Sequence, residues 1–253
     1  MKIVRVKTEE GISYGNAESE GVRLWEGSPL VAWDETEVVV PYGNLQLLAP
    51  VFPTKIVGVG RNYEEHISEL DNPMPTEPII FLKPPTSVIG PEQPIIVPPD
   101  VGEIHHEAEL AVVIGAIARH TKAEDVEQVL LGYTVANDIT AHDLQQQDGQ
   151  WGRAKGFDTF CPLGPAIETE LDPLESLLVE CRVNDEVRQA GRTSEMIFGV
   201  AELIEYVSEV MTLLPGDVIL TGTPPGVGPI EPGDRVEAEI EGIGVLGNPV
   251  ASP

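Results

Sequence analysis

The segment from His105 to Gly115 reads HHEAELAVVIG and decides how the rest of the chain is interpreted. It first alternates polar and apolar residues and then becomes continuously apolar, which is typical of a strand buried in a sheet. Residues two apart in a strand point to the same face, so the carboxylates of Glu107 and Glu109 leave the sheet on one side. Two like charges there are unfavourable unless a positive charge lies between them.

A third carboxylate follows the next apolar run, residues 130–136, which leads into Asn137 and Asp138. Three carboxylates without a nitrogen or sulfur ligand suit a hard divalent cation, so the sequence indicates a site for Mg²⁺ or Mn²⁺, with Ca²⁺ as a further option. The alternative is that Glu107, Glu109 and Asp138 are surface carboxylates of a very acidic chain. His105 shares the strand face, but no HExxH motif is present, so zinc has little support.

The composition excludes several classes of protein. The chain has 253 residues, with 42 Asp plus Glu against 15 Lys plus Arg, and a formal net charge of -27. Its basic residues are scattered singly, which excludes a surface for nucleic acid or an anionic membrane. The longest apolar stretch, residues 110–118, is far shorter than the roughly 18 residues of a membrane span, and no signal-peptide pattern follows Met1. We therefore expect a soluble, cytoplasmic protein.

The excess of acidic residues also suggests a habitat. Only six of the basic residues are lysines, and acidic side chains in place of surface lysines are expected of a protein that works in molar salt, where counterions screen the repulsion. The sequence therefore favours a halophilic source over an ordinary acidic cytosolic protein. Cys161 and Cys181 are too few for a disulfide framework and are interpreted as packing residues.

The chain divides into two predicted regions. Residues 1–50 have short β-branched runs separated by glycines, which predicts a small N-terminal β domain, and residues 51–253 are predicted to form a second, larger domain. Helical patterns cover residues 63–70, 121–131 and 198–211, and a hairpin is predicted over residues 177–190. Strands and helices do not alternate regularly, so the fold class is α+β, dominated by β-structure.

Three further positions are candidates for chemistry. His66 and Glu69 lie three residues apart on the first predicted helix, so the carboxylate can orient the imidazole as a general base; the alternative is an exposed pair that stabilises a short helix. Lys155 in the segment RAKGFDTF is a candidate for holding a carboxylate or enolate oxygen. Thr223 in GTPPGVG offers a hydroxyl to a ligand, whereas the prolines of this loop exclude a phosphate-binding role.

The order of six segments resembles the fumarylacetoacetate hydrolase family. The segments are GVGRNYEEH, FLKPPTSVIGP, HHEAELAVVIG, GYTVANDIT, KGFDTFCPLGP and VILTGTPPGVG, and the resemblance extends from residue 55 to about residue 247. It is closest to the branch that contains acylpyruvases and 2-hydroxyhepta-2,4-diene-1,7-dioate isomerases. It implies a mixed β-sheet roll with peripheral helices, preceded by a small N-terminal β domain, and a homodimer.

The same resemblance assigns roles to individual residues. It implies that Glu107, Glu109 and Asp138 bind Mg²⁺ or Mn²⁺ and that His66, Glu69 and Lys155 are catalytic. We expect the substrate to be bound by Arg61, Tyr63, His142, Gln145 and Thr223. His142 stands where many members of the family have an arginine, which changes the expected contact with a substrate carboxylate.

The resemblance also implies the reaction. A 2-oxo acid would chelate the metal through its C1 carboxylate and C2 oxygen, and the leading hypothesis is hydrolysis of a C–C bond in acylpyruvate-type 2,4-dioxo acids by water that His66 activates. Lys155 and Thr223 would stabilise the oxygen charge. The alternatives are isomerisation of 2-hydroxyhepta-2,4-diene-1,7-dioate, decarboxylation of oxaloacetate and dehydration of 2-keto-3-deoxy sugar acids. Outside enzymes, the alternative is a metal-stabilised binding module.

Overall fold

We describe a computed structural model of the chain at residues 1–69, 73–172 and 176–253. The N-terminal segment forms an antiparallel meander followed by a short fifth strand. Its strands are β1 (Lys2–Thr8), β2 (Gly11–Ala17), β3 (Gly21–Ser28), β4 (Ala32–Pro41) and β5 (Gln46–Leu48).

The middle of the chain supplies nine strands of very different length. They are β6 (Ile56–Gly60), β7 (Ile79–Lys83), β8 (Val88–Ile89), β9 (Ile95–Ile96), β10 (Ile104–His106), β11 (Ala108–Ile114), β12 (Leu130–Asn137), β13 (Thr140–Ala141) and β14 (Cys161–Glu168). The last six are β15 (Leu178–Val183), β16 (Glu186–Arg192), β17 (Val218–Leu220), β18 (Gly228–Pro229), β19 (Arg235–Ile240) and β20 (Gly244–Ala251).

Within the described residues, twelve of these strands form one mixed sheet. Its main path runs β4-β3-β2-β1-β14-β12-β11-β17-β6-β7, while β5 pairs with β1 and β8 pairs with β14. A five-stranded sheet has the order β16-β15-β19-β20-β9, and a short sheet joins β13, β10 and β18. Because β1 pairs directly with β14, the N-terminal meander extends the sheet that carries the candidate metal ligands.

Four α-helices accompany the sheets in the described part of the chain: α1 (Glu64–Glu69), α2 (His142–Asp148), α3 (Gly152–Lys155) and α4 (Val200–Val210). Short 3₁₀ segments cover Tyr42–Asn44, Pro85–Ser87, Ala123–Gln128 and Thr193–Glu195. In α4, Leu203, Ile204 and Val207 are fully buried on one face, as the periodicity predicts. No helix among the described residues is long and apolar enough to cross a membrane.

β11 is the centre of the hydrophobic core, and every residue in it is buried. Leu110, Val112 and Ile114 pack in a core with α4 and the five-stranded sheet, while Ala111 and Val113 face a second core on the other side. Burial of each large apolar side chain contributes roughly 1.5–3 kcal/mol, so this strand is held rigidly from both faces. A rigid strand is a suitable support for the carboxylate of Glu109.

The structure confirms a β-dominated α+β fold and corrects one predicted helix. Residues 121–131 form only a 3₁₀ turn, and Leu130 already belongs to β12, where it pairs with Ile114. This 3₁₀ segment has no side-chain cap, and the backbone N–H of Thr121 donates to the Ser208 hydroxyl on α4. Tertiary pairing with β11 and α4 therefore overrides the local helical preference.

The other two helical predictions and the hairpin correspond to described elements. The prediction over residues 63–70 corresponds to α1, although Leu70 lies outside the described residues. β15 and β16 form the predicted hairpin, and its turn residues Asn184 and Asp185 both have positive φ, 52° and 65°. This conformation matches a tight type I′ turn, which Asn and Asp tolerate better than most residues.

Candidate active site

Three carboxylates meet where β11 and β12 lie side by side. The register pairs Ala108 with Asn137, so Glu107 and Glu109 on either side of Ala108 come next to Asp138, which follows β12. One ligand oxygen from each carboxylate lies within 4.8 Å of the others. Glu109 and Asp138 are buried, with exposed fractions of 2% and 1%, so they are not the surface carboxylates of the alternative interpretation.

Each carboxylate is oriented by a donor bonded to one of its oxygens. The donors are the Thr140 hydroxyl to Glu107 Oε1 at 2.8 Å, the Gly222 N–H to Glu109 Oε2 at 2.7 Å, and Lys83 Nζ to Asp138 Oδ1 at 2.5 Å. The second oxygen of each carboxylate is not bonded to these three donors. The donors hold the three side chains in a fixed mutual arrangement.

Lys155 occupies the space between two of these remaining oxygens. It ends α3, and its Nζ lies 2.8 Å from Glu107 Oε2 and 2.6 Å from Asp138 Oδ2. Burial alone would lower the pKa of Lys155, but the carboxylates of Asp138 and Glu107 raise it above its usual value. Burial would raise the pKa of Asp138, and the ammonium groups of Lys155 and Lys83 hold it below its usual value.

Among the described residues, only two ammonium groups, those of Lys83 and Lys155, accompany the three carboxylates of the triad. Burial, together with the neighbouring carboxylates of Asp138 and Glu107, raises the pKa of Glu109 well above its usual value. Two ammonium groups thus leave one of the three carboxylates uncompensated. An all-oxygen set in which one carboxylate has no ammonium partner fits a hard divalent cation, and Glu107, Glu109 and Asp138 are the residues that would hold it.

The triad lies on the wall of a cavity of about 480 Å³. The structure brings eight of the predicted site residues to this cavity: Arg61, Glu107, Glu109, Asp138, His142, Gln145, Lys155 and Thr223. Their assembly around one cavity agrees with a shared site, while the individual roles assigned to them stay predictions.

Two aromatic side chains that the sequence reasoning missed form an apolar part of the cavity wall. Phe81 and Trp151 pack edge to face with ring centroids 5.4 Å apart, and Lys155 Nζ lies 5.2 Å from the centre of the Phe81 ring. β6 has glycines opposite both rings, because a Cβ atom at Gly58 would lie 2.2 Å from Phe81 and one at Gly60 would lie 2.3 Å from Trp151. The apolar wall keeps water away from the ammonium group.

Arg61 brings positive charge to the cavity. Its φ is 58°, a backbone conformation that costs a non-glycine residue roughly 1 kcal/mol and is concentrated at functional sites. His142 contributes less charge, because burial and the neighbouring His105 lower its pKa. The two imidazoles stack with centroids 4.3 Å apart, and Gln146 donates to His142 Nε2 at 2.8 Å.

Three predicted residues are placed differently from those around the cavity. Tyr63 is buried, with 1% exposed, it is not among the residues that line the cavity, and its hydroxyl has no hydrogen-bond partner among the described residues. Burial first, and then the charge of Glu109, raise its pKa. The backbone of His66 and Glu69 lies in α1, but their side chains lie outside the described part of the structure. The predicted base therefore stays a prediction.

Lys83 is the most important residue that the sequence reasoning missed. Its side chain is fully buried at the end of β7, where it pairs with Asp138 and also donates to the Ile139 carbonyl at 3.3 Å. The sequence feature that could have identified Lys83 is a lysine, a rare residue in this chain, at the end of the apolar strand IIFLK and just before two prolines. A lysine in such a position needs a buried counter-charge, which the sequence does not locate.

The chain is similar to known proteins over most of its length. Residues 55–251 match the family model described as fumarylacetoacetate (FAA) hydrolase C-terminal, and residues 1–50 match the model described as Rv2993c-like, N-terminal. Protein Rv2993c of Mycobacterium tuberculosis is 46% identical over 262 residues, which cover 99% of this chain and 98% of that protein.

Two further relatives have names that describe a reaction. Oxaloacetate tautomerase FAHD2A, mitochondrial, of Homo sapiens is 47% identical over 225 residues, which cover 84% of this chain and 71% of that protein. The crystal structure of 5-carboxymethyl-2-hydroxymuconate delta-isomerase from Mycobacterium smegmatis has a TM-score of 0.94 and 45% identity, with both chains covered completely. Since the first model spans residues 55–251 and these relatives cover most of the chain, the chain belongs to the fumarylacetoacetate hydrolase family.

Proposed function

We propose that the chain is a divalent-metal-dependent enzyme that interconverts keto and enol forms, or shifts the double bond, of 2-oxo acids. The observation that carries this proposal is the cluster of Glu107, Glu109 and Asp138 at the wall of one cavity, in which Glu107 and Asp138 hold the ammonium group of Lys155. The relatives named as a tautomerase and an isomerase support the same chemistry.

A metal held by the triad would polarise the C2 oxygen of a 2-oxo acid and so favour the enolate. Lys155 holds a proton at Nζ beside the triad, because the adjacent carboxylates raise its pKa. It is therefore suited to donate hydrogen bonds to an enolate oxygen. In the enol-to-keto direction, C3 gains a proton and the C2 hydroxyl loses one, so no water is consumed.

The cavity also has groups suited to the ends of a dicarboxylate. Arg61 offers a guanidinium group that can pair with a second carboxylate, since arginine binds carboxylates through two parallel hydrogen bonds. Phe81 and Trp151 offer apolar surface to the carbon chain between the two carboxylates. We therefore propose 2-oxo dicarboxylic acids as the substrate class.

Hydrolysis of a C3–C4 bond in acylpyruvates is the second candidate. It consumes one water and needs a base for that water, and the sequence offers His66 with Glu69 on α1, which begins three residues after Arg61. In both candidates a metal held by the triad would stabilise an enolate that gains a proton at C3, but hydrolysis first adds water at C4 and breaks the C3–C4 bond.

Assays with two substrates distinguish the two reactions. We expect wild-type protein with MgCl₂ to accelerate the loss of the ultraviolet absorbance of enol-oxaloacetate, and to release little pyruvate from acetylpyruvate. Asp138→Asn should lower the first rate by orders of magnitude, while Asp125→Asn, which alters an exposed carboxylate on the 3₁₀ turn, should leave it unchanged. Rapid pyruvate release would favour hydrolysis, and inactivity towards both substrates would contradict the proposal.

A further inference from the structure

Gln189 makes a hydrogen-bond network beside the triad that determines what Thr223 can offer a ligand. It is completely buried on β16, and its carboxamide makes four hydrogen bonds. Oε1 accepts from the Ala108 N–H and faces His106 Nδ1, both at 3.0 Å. Nε2 donates to Thr223 Oγ1 at 2.7 Å and to the Pro224 carbonyl at 2.8 Å.

The orientation of this carboxamide is fixed by two backbone groups with only one possible role each. The Ala108 N–H can only donate and the Pro224 carbonyl can only accept, so a flipped carboxamide would oppose donor to donor and acceptor to acceptor. Oε1 therefore faces Ala108 and Nε2 faces Pro224. His106 must then be a donor at Nδ1, which fixes its tautomer when it is neutral.

The same reasoning fixes the direction in which the Thr223 hydroxyl donates its hydrogen. Its oxygen accepts from Gln189 Nε2, and its single hydrogen is donated to the Ala108 carbonyl at 2.8 Å. A hydroxyl has one hydrogen and two lone pairs, so only one lone pair is left. A ligand that reaches Thr223 from the cavity therefore meets a hydrogen-bond acceptor.

We propose that Thr223 accepts a hydrogen bond from the substrate and that the site thereby binds the 2-hydroxy form, the enol, in preference to the 2-oxo form. Gln189 is the positioning residue, because its Nε2 group and the Ala108 carbonyl together keep the Thr223 hydrogen away from the cavity. The inference rests on the proposed function, since it takes the ligand to be a 2-oxo acid or its 2-hydroxy form. It reverses the sequence expectation that Thr223 stabilises an oxygen charge, which needs a donor.

The test compares two stable ligands that differ only at C2. Calorimetry with MgCl₂ present would measure the dissociation constants of 2-hydroxyglutarate and 2-oxoglutarate for wild type, Thr223→Val and Thr223→Ser. Valine has the same shape as threonine but lacks the acceptor. We therefore expect Thr223→Val to raise the dissociation constant of 2-hydroxyglutarate about tenfold and to change that of 2-oxoglutarate by less than about twofold. Thr223→Ser keeps the hydroxyl and should restore wild-type binding.

The ratio of the two dissociation constants separates this role from a structural one. A general disturbance of the site by Thr223→Val would weaken both ligands alike, and that result would overturn the inference, as would equal binding by all three proteins. A selective loss of 2-oxoglutarate would show that Thr223 donates and would also overturn it. If wild type with MgCl₂ binds neither ligand, the proposed function itself is contradicted, and the inference falls with it.

Discussion

At the scale of single residues, Lys155 would compete with a divalent cation for two of the triad's oxygens. The ammonium group holds Glu107 Oε2 and Asp138 Oδ2, while the other oxygen of each carboxylate is bonded to Thr140 or Lys83. A metal that uses those two oxygens has to displace the ammonium towards the cavity. The stability of the metal-free protein and its affinity for metal are therefore linked through Lys155.

Replacement of Lys155 tests this linkage. Lys155→Met leaves buried carboxylates without a counter-charge, so we expect the free energy of unfolding without metal to fall by about 3–5 kcal/mol. Saturating MgCl₂ should recover more stability in the variant than it adds to wild type, as measured by urea unfolding.

The matched control is Lys122→Met, because Lys122 pairs with Glu205 and Glu209 on the surface of the protein. Its effect should be much smaller than that of Lys155→Met, because exposed ion pairs contribute little to stability. If Lys155→Met costs no more than Lys122→Met, or if MgCl₂ stabilises the variant no more than wild type, competition for the triad is contradicted.

At the scale of elements, one buried carboxylate ties β6 to β17. Asp217 accepts hydrogen bonds from the Thr54 hydroxyl at 2.7 Å, the Leu214 N–H at 2.7 Å and the ammonium group of Lys55. Burial alone would raise the pKa of Asp217, but these hydrogen bonds hold it below its usual value. Since β6 carries Gly58 and Gly60 opposite the aromatic wall, this tie also supports the cavity.

The depressed pKa of Asp217 predicts that its contribution to the free energy of unfolding is lost in acid. A carboxylate whose folded pKa lies below the unfolded value of about 3.9 stabilises the fold fully above that pH, and loses the contribution as the pH falls through the folded pKa. Asp217→Asn should therefore cost about 2–4 kcal/mol near pH 7, with the difference from wild type shrinking below about pH 4. Urea unfolding across this pH range measures the stability difference between the variant and wild type. A difference that does not change with pH would contradict a depressed pKa for Asp217.

Elements that depend on local signals were predictable from the sequence, and elements that depend on distant partners were not. α4 and the β15–β16 hairpin show their periodicity and turn residues directly. The segment 121–131 has helical signals, but α4 and β11 determine its structure. α2 and α3, with seven and four residues, are too short for a periodic pattern and were missed.

The same distinction applies to the candidate site. Glu107 and Glu109 were recognisable because they share one strand pattern, and Asp138 because it follows the next apolar run. Lys83 and Gln189 were missed, since their partners lie 34 to 83 residues away along the chain. No local pattern reports which strands become neighbours, and those contacts orient the ligands and Thr223.

At the scale of the whole molecule, the net charge of -27 should make stability depend on salt. Exposed carboxylates repel each other over a screening length of about 10 Å at 0.1 M salt and about 3 Å at 1 M. We therefore expect Tm to rise steadily with KCl at fixed pH, measured by circular dichroism. A Tm that is unchanged across this range would remove the inference of a halophilic source.

We propose that Glu107, Glu109 and Asp138 hold a metal that promotes the enolisation of a 2-oxo acid. The most direct test follows exchange of the C3 hydrogens of 2-oxoglutarate for deuterium in D₂O by proton NMR. Each exchange needs one enolisation, whether the enzyme isomerises or hydrolyses its natural substrate. We predict rapid exchange by wild type and Asp125→Asn with MgCl₂, and exchange near the uncatalysed rate with EDTA or Asp138→Asn. Exchange that persists at the wild-type rate in EDTA or in Asp138→Asn would contradict the claim.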